Sequence, residues 1–419
     1  LSICHNHLNE LHPALAHLSL LRELSLSHNA LQNIPEELLA LTGLKRLALD
    51  HNLITHLPSE MGHMNNLRKL KLHSNDVKSP PREVNLQGTD VMRAYLKALD
   101  DGAKAETLDL SSFSLLTVPI EACVMTGLVR LNLADNLLRE LRPEIGQLTN
   151  LRELYAGGNQ LILLPPEMEQ LSMLVKLDVR NNQLNAVPCE IAIMTGLRSL
   201  ELSGNPINSP PQQVVEGGVE QILEYLQQIY GIRETKKADF GGLGLQQFPV
   251  EVCSLAEITN LSVADNSIKV LPGAIQMLVN LVSINLDSNQ IATLHPGVRN
   301  LQALRYLSIE HNVLTSVIPN VGKLTELRVL RLTGNQLSQI PATIGNLGQL
   351  RELHLAHNKL EAVPTAIGGL TSLNLLALED NKLNELPPET GFLTNLTTLS
   401  LVGNVIHNLP LEIGNLELL

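Results

Sequence analysis

The side chains best suited to chemistry recur at fixed intervals. His5, His28 and His51 stand 23 residues apart, and His311 and His357 share their phase further along the chain. Imidazoles held about 5 Å apart on neighbouring strands could bridge a metal ion. Strong zinc sites, however, draw ligands from several directions and brace them with further hydrogen bonds. The row therefore reads as solvated turn histidines. Cys123 and Cys253 lie 130 residues apart, each following a Pro-x-Glu segment. They read as small buried hydrophobes, because nothing suggests the convergent histidine that a thiol nucleophile needs. Gly242-Leu243-Gly244 lacks the third glycine of a phosphate loop. No GxxxxGK[ST], GxSxG, HExxH or EF-hand spacing occurs. The expectation is a noncatalytic chain with no cofactor, no metal and no catalytic residues.

Composition narrows the class further. The chain has 419 residues, a net charge of −12, 44% hydrophobic residues, 2% aromatics and no tryptophan. So few aromatics poorly furnish three ordinary globular cores, and the apolar content is chiefly leucine. The acidic balance argues against nucleic acid, whose phosphates call for clustered Lys and Arg. No apolar run approaches the roughly 18 residues of a membrane span. Four cysteines, Cys4, Cys123, Cys189 and Cys253, lie far apart without a CxxC pair. That usage fits a reducing compartment, so the expected location is cytoplasmic. The sequons at Asn260 and Asn395 fall in or beside predicted strands and read as chance matches. The chain starts at Leu1 with no methionine and reads as a fragment.

One period positions all of these residues. Asparagines recur every 23 residues at Asn6 to Asn75, Asn136 to Asn205 and Asn266 to Asn404. Around each lies the pattern seen at Leu21-x-x-Leu24-x-Leu26-x-x-Asn29-x-Leu31, followed by Ile34-Pro35 and Leu38. This pattern resembles the leucine-rich repeat superfamily over essentially the whole chain. Leu24 and Leu26 alternate with period two and point inward from a short strand, leaving the residues between them on the outer side. Successive strands would pair in parallel into one long sheet. The asparagine amide would satisfy turn backbone groups that the ladder leaves unpaired. Prolines such as Pro35, Pro58, Pro188 and Pro341 would end the strand and open a return arm of one helical turn. The fold class expected is α/β: a leucine-rich repeat solenoid, curved like a horseshoe, with a parallel concave sheet and short helical or irregular convex arms.

Two breaks interrupt the period. The positions equivalent to asparagine after Asn75 and Asn205 are Phe113 and Leu243, each 38 residues on. The inserted segments match: Ser79-Pro80-Pro81, Val84, Gly88, Tyr95-Leu96 in one, and Ser209-Pro210-Pro211, Val214, Gly218, Tyr225-Leu226 in the other. Met92, Tyr95, Leu96 and Leu99 fall at helical spacing, as do Ile222, Tyr225, Leu226 and Ile229, so each insert carries an amphipathic helix. The expected organisation is repeat blocks at 1–80, 107–210 and 237–419, separated by helical inserts at 81–106 and 211–236 that serve as internal caps or joints.

Endings such as Leu141-Arg142-Pro143-Glu144-Ile145-Gly146-Gln147-Leu148 are similar to the intracellular Ras-group class of repeats, found in Shoc-type scaffolds and plant Ras-group proteins. The inserts resemble the segment that closes the repeat domain of Roco-type GTPases. The resemblance implies a cytoplasmic scaffold or adaptor that binds protein partners, with small-GTPase or kinase pathways as its setting. The alternative is the regulatory repeat region of a larger enzyme such as a Roco-type GTPase, kinase or cyclase. The candidate binding surface is the concave strand face. Asp109, Asp178, Glu201 and Asp239 each lie four positions before a ladder asparagine or its substitute, with Arg180 two positions before Asn182. Tyr155, Tyr306, Arg331 and His354 complete the candidate set, since aromatics and arginine are typical interface anchors.

Overall fold

The typical 23-residue unit resolves into one strand, one asparagine turn and one return arm. The computed structural model describes residues 1–419. Leu1–Ile207 form one compact unit and Asn208–Leu419 a second.

The first unit holds two parallel sheets. One contains β1 (Glu23–Ser25), β2 (Arg46–Ala48) and β3 (Lys69–Lys71). The other contains β4 (Thr107–Asp109), β5 (Arg130–Asn132), β6 (Glu153–Tyr155), β7 (Lys176–Asp178) and β8 (Ser199–Glu201). The second unit holds a single parallel sheet. It comprises β9 (Lys237–Asp239), β10 (Asn260–Ser262), β11 (Ser283–Asn285), β12 (Tyr306–Ser308), β13 (Val329–Arg331), β14 (Glu352–His354), β15 (Leu375–Ala377) and β16 (Thr398–Ser400). Register is strict: Leu131 pairs with Leu154 and Leu154 with Leu177, so each column holds equivalent residues.

The core is a stack of aliphatic layers. In one repeat Leu154, Ala156, Leu161, Leu164, Met168, Leu171 and Leu174 are all buried. Each buried leucine contributes about 1.5–3 kcal/mol, yet only neighbouring repeats provide the covering surface. The ladder asparagines tie the layers together. Asn136 Nδ2 donates to Leu133 O at 3.0 Å in its own repeat and to Leu110 O at 2.8 Å in the preceding one. Its Oδ1 accepts from the Phe113 and Leu115 amides, both at 3.0 Å.

The residue before each asparagine bends through the left-handed region, with φ of 58° at His28, 54° at His51, 55° at Asp135 and 67° at Gly158. Such backbone favours Gly, Asn, Asp and His. The return arms are five-residue 3₁₀ turns in most repeats, and Pro58, Pro188, Pro272, Pro341, Pro364 and Pro410 sit at their N-caps.

Both inserts form a short helix followed by a long one: Arg82–Leu86 then Thr89–Ala105, and Gln212–Glu216 then Val219–Thr235. Met92, Tyr95, Leu96 and Leu99 are buried in the first long helix; Ile222, Tyr225, Leu226 and Ile232 are buried in the second. Ile229 is half-buried. The helix Thr89–Ala105 packs on both the return turn Ser59–His63 and strand β4. That double contact is why the repeats on either side of the first insert form one compact unit. Phe113, in place of a ladder asparagine, meets the Tyr95 ring edge-on at 5.5 Å. In the second unit Tyr225 lies 5.2 Å from the Phe240 ring.

Candidate functional site

The strand face of the first unit gathers five of the candidates, Asp109, Tyr155, Asp178, Arg180 and Glu201. Register places Asp109, Asn132, Tyr155, Asp178 and Glu201 side by side at the ends of β4 to β8. A hollow of about 710 Å³ opens there, lined by Asp109, Arg130, Asn132, Asp135, Tyr155, Asp178 and Arg180, with Ala134, Gly157 and Gly158 as small residues beside them. Gly158 takes the left-handed turn at φ 67°, and a Cβ there would clash only with the movable end of the exposed Asp135 side chain, at 2.3 Å.

Most charges lining the hollow are already matched. Arg180 Nη2 reaches Asp178 Oδ2 at 2.7 Å, and the Asp178 side chain is only 4% exposed. Arg130 Nε donates to Glu153 Oε2 at 2.7 Å, and Tyr155 Oη donates to the same oxygen at 2.9 Å. Those two bonds, the arginine's first, hold the Glu153 carboxyl below the usual carboxylate range. Lys176 Nζ stands 5.1 Å from the Tyr155 ring centre. Asp109 is exposed, and its Oδ1 accepts from the Ser111 amide and hydroxyl at 3.0 and 2.7 Å. Glu201 is exposed on β8, outside the lining of the hollow.

In the second unit Asp239 ends β9, exposed, and accepts from the Gly241 amide at 3.0 Å. Tyr306, Arg331 and His354 converge on neighbouring strands of the same sheet. The Arg331 guanidinium lies 5.8 Å from the Tyr306 ring centre and 3.8 Å from Glu352 Oε2, which His354 Nε2 approaches at 3.2 Å. Asp287, one residue type the sequence reading passed over, lies close by. It accepts from Ser308 Oγ and the Glu310 amide, both at 2.6 Å, while burial pushes its carboxyl above the ordinary value. Ser308 is wholly buried.

The histidine row is real as a stack. His5, His28 and His51 place successive ring centres 4.1 Å apart and nearly parallel. Desolvation, then His51 and His5, depress His28. Their position follows from the left-handed turn, which Asp135, Asn181 and Gly158 serve in other repeats. A cluster not readable from the period joins His63 to Asp100 and Asp101, whose ligand atoms lie within 4.8 Å of one another. His63 Nε2 is 2.8 Å from Asp100 Oδ2, Lys104 Nζ is 2.5 Å from the same oxygen, and Ser59 Oγ donates to Oδ1 at 3.3 Å. Lys104 first, then His63, holds the Asp100 carboxyl low. The oxygen a cation would need is already occupied by an ammonium. The buried thiols Cys123 and Cys253 are pushed up to about 11, chiefly by desolvation.

Parallel strands at a fixed repeat, buried leucine layers and an asparagine ladder define a leucine-rich repeat solenoid. The leucine-rich repeat family profile matches residues 1–53, 19–77, 279–337, 302–360, 325–383 and 349–406. No curated protein sequence matches the chain. Among solved structures, it is similar to a leucine-rich repeat protein of Leptospira interrogans at 28% identity, covering 96% of this chain and 95% of that one with a TM-score of 0.43. It is also similar to the plant peptide hormone receptor RGFR1 in complex with RGF2, at 25% identity over 98% of this chain and 60% of the receptor, TM-score 0.40. An internalin of Listeria monocytogenes aligns at 20% identity over 97% of this chain and 86% of its own, TM-score 0.33. Leucine-rich repeat proteins generally bind other proteins through extended surfaces, and the fold is typically a noncatalytic scaffold. No helix of this chain is long and apolar enough to cross a membrane.

Proposed function

We propose that this chain is a noncatalytic interaction scaffold that binds a protein partner on its strand face. The observation that carries the reading is the hollow on β4 to β7, where Tyr155 sits among matched ion pairs and small residues. Charges paired in place hold their geometry before a partner arrives, so less entropy is lost on binding. A half-buried tyrosine supplies contact area at low conformational cost. The similarity of the repeat endings to the Ras-group class supports a cytoplasmic setting and a small-GTPase or kinase-pathway partner. The wide spacing of the cysteines supports the same compartment.

The test is affinity capture against nucleotide-loaded small GTPases and cytosolic extract, comparing the wild type with strand-face variants. Charge reversal belongs at the exposed Asp109 and Glu201 rather than at Asp178, whose buried carboxylate is engaged by Arg180. Asp109→Lys with Glu201→Lys is expected to reduce capture of a specific partner about tenfold or more. Capture indifferent to these substitutions and to Tyr155→Ala would overturn the reading.

A further inference from the structure

The strand face of the first unit carries opposite charge on its two sheets. On β1 to β3 and their turns, Arg46, Lys69 and Lys71 face Glu23 and Asp50. Arg46 pairs with Glu23, and Asp50 accepts from the His73 amide at 3.0 Å. Lys69 and Lys71 are exposed on β3, and no carboxylate lies within ion-pairing distance of either. On β4 to β8 the balance reverses. Arg130 and Arg180 are taken up by Glu153 and Asp178, and Lys176 lies over Tyr155 beside Glu153. Asp109, Asp135 and Glu201 remain exposed with no cation within ion-pairing distance, Glu201 feeling Arg180 only from further off.

Apart from Asp50, which meets an amide and a hydroxyl but no cation, the unmatched charges fall into two groups on either side of one insert: a cationic pair on β3, and carboxylates beginning with Asp109 on the next strand. Lys71 and Asp109 occupy the same register position in their repeats. Unpaired charges in one patch repel each other and gain from an opposite charge that displaces water. Opposed patches on one face also select for order along the ligand, since the reversed arrangement brings like charges together.

Resting on the reading of this face as an interaction surface, we infer that it recognises a linear partner segment with charges in two blocks. The acidic block lies over Lys69 and Lys71, and the basic block over Asp109, Asp135 and Glu201.

The test uses the full chain and fluorescent peptides: six glutamates followed by six lysines, the reverse order, the same residues alternating, and glutamates alone. At low salt, one block order should bind about tenfold more tightly than the alternating peptide, and the difference should shrink at physiological ionic strength. Lys69→Glu with Lys71→Glu should abolish the preference, as should Asp109→Lys with Glu201→Lys. Combining all four substitutions should restore it for the opposite block order. All four side chains are exposed, so unchanged circular dichroism should accompany each variant. Equal binding of block and alternating peptides would overturn the inference. So would glutamates alone binding as tightly as the block peptide regardless of Asp109 and Glu201. If those substitutions still abolish capture of a protein partner, the interaction-face reading stands and only the two-block segment falls.

Discussion

Tyr95 and Tyr225 occupy the same place in the two inserts, yet their hydroxyls meet different surroundings. Tyr225 Oη donates to Glu251 Oε1, which Ser209 Oγ also reaches at 2.8 Å. Tyr95 Oη is buried without a partner, although Ser79 and Glu121 hold the matching sequence positions. Burial raises both phenols far above the ordinary value. Losing a buried hydroxyl bonded to a carboxylate costs about 2 kcal/mol, whereas deleting an unpaired one relieves a desolvation penalty. Tyr225→Phe is therefore expected to destabilise by about that amount, and Tyr95→Phe to be neutral or stabilising, measured from denaturant midpoints. Equal losses would contradict the difference. The thiols divide in a similar way. Cys4, bonded to the Ser2 and Ser25 hydroxyls at 3.3 and 2.9 Å, is lowered from its ordinary value, while Cys123 and Cys253 rise to about 11. Because the thiolate is the nucleophile, iodoacetamide at mildly alkaline pH should label Cys4 before Cys123 and Cys253. Cys123 and Cys253 should react only once the chain unfolds, as peptide mass spectrometry would show.

At the scale of the element, the asparagine turn is the repeat's structural keystone, and its cost of removal depends on neighbours. Asn159 is buried; its amide serves Leu133 O, Ala156 O and the Leu138 amide, at 2.9, 3.0 and 3.0 Å. Asn159→Ala would strand those groups away from water, for a loss of about 3 kcal/mol or more. Asn6 is exposed and donates to Cys4 O at 3.0 Å, and in this chain Asn6→Ala should cost less than about 1 kcal/mol. Comparable losses at both positions, read from urea melts, would refute the neighbour argument. These elements were legible because they repeat: period two marks the strand, the asparagine marks the turn, and the Tyr-Leu pair at helical spacing marks the insert. The candidate face was legible only as a column of positions. That Asp178 is sequestered by Arg180 while Asp109 meets only Ser111 and no cation depends on side-chain reach, which spacing does not encode. His63 and Asp100 were invisible for another reason. They lie 37 residues apart with no common phase, and their counterparts one insert later are Ile193 and Tyr230.

Across the whole molecule, stability is local, because a repeat touches mainly its neighbours. The first insert modifies that rule by fastening its long helix to the repeats on both sides. The approach depends on one residue: a Cβ on Gly62 would lie 2.2 Å from the Lys97 amide nitrogen and 2.4 Å from its Cα. Backbone cannot yield as a flexible side-chain end would, so Gly62→Val has to push the helix Thr89–Ala105 off the turn Ser59–His63. Overpacking of this kind costs about 2 kcal/mol, equivalent to roughly thirtyfold faster amide exchange where opening is rate-governing by equilibrium. The helix also loses the bonds that His63 and Ser59 make to Asp100. That carboxyl is held low first by Lys104 of the same helix and then by His63, so only the His63 share belongs to docking, present above the ordinary aspartate range and lost as pH falls through it. Hydrogen exchange on Gly62→Val should therefore accelerate in residues 59–109, most of all in Thr89–Ala105. Amides in Asn208–Leu419, a separate compact unit, should keep their wild-type rates. Uniform acceleration along all 419 residues would instead mean that the array unfolds as one cooperative body, and nearest-neighbour stability would have to be abandoned for this chain.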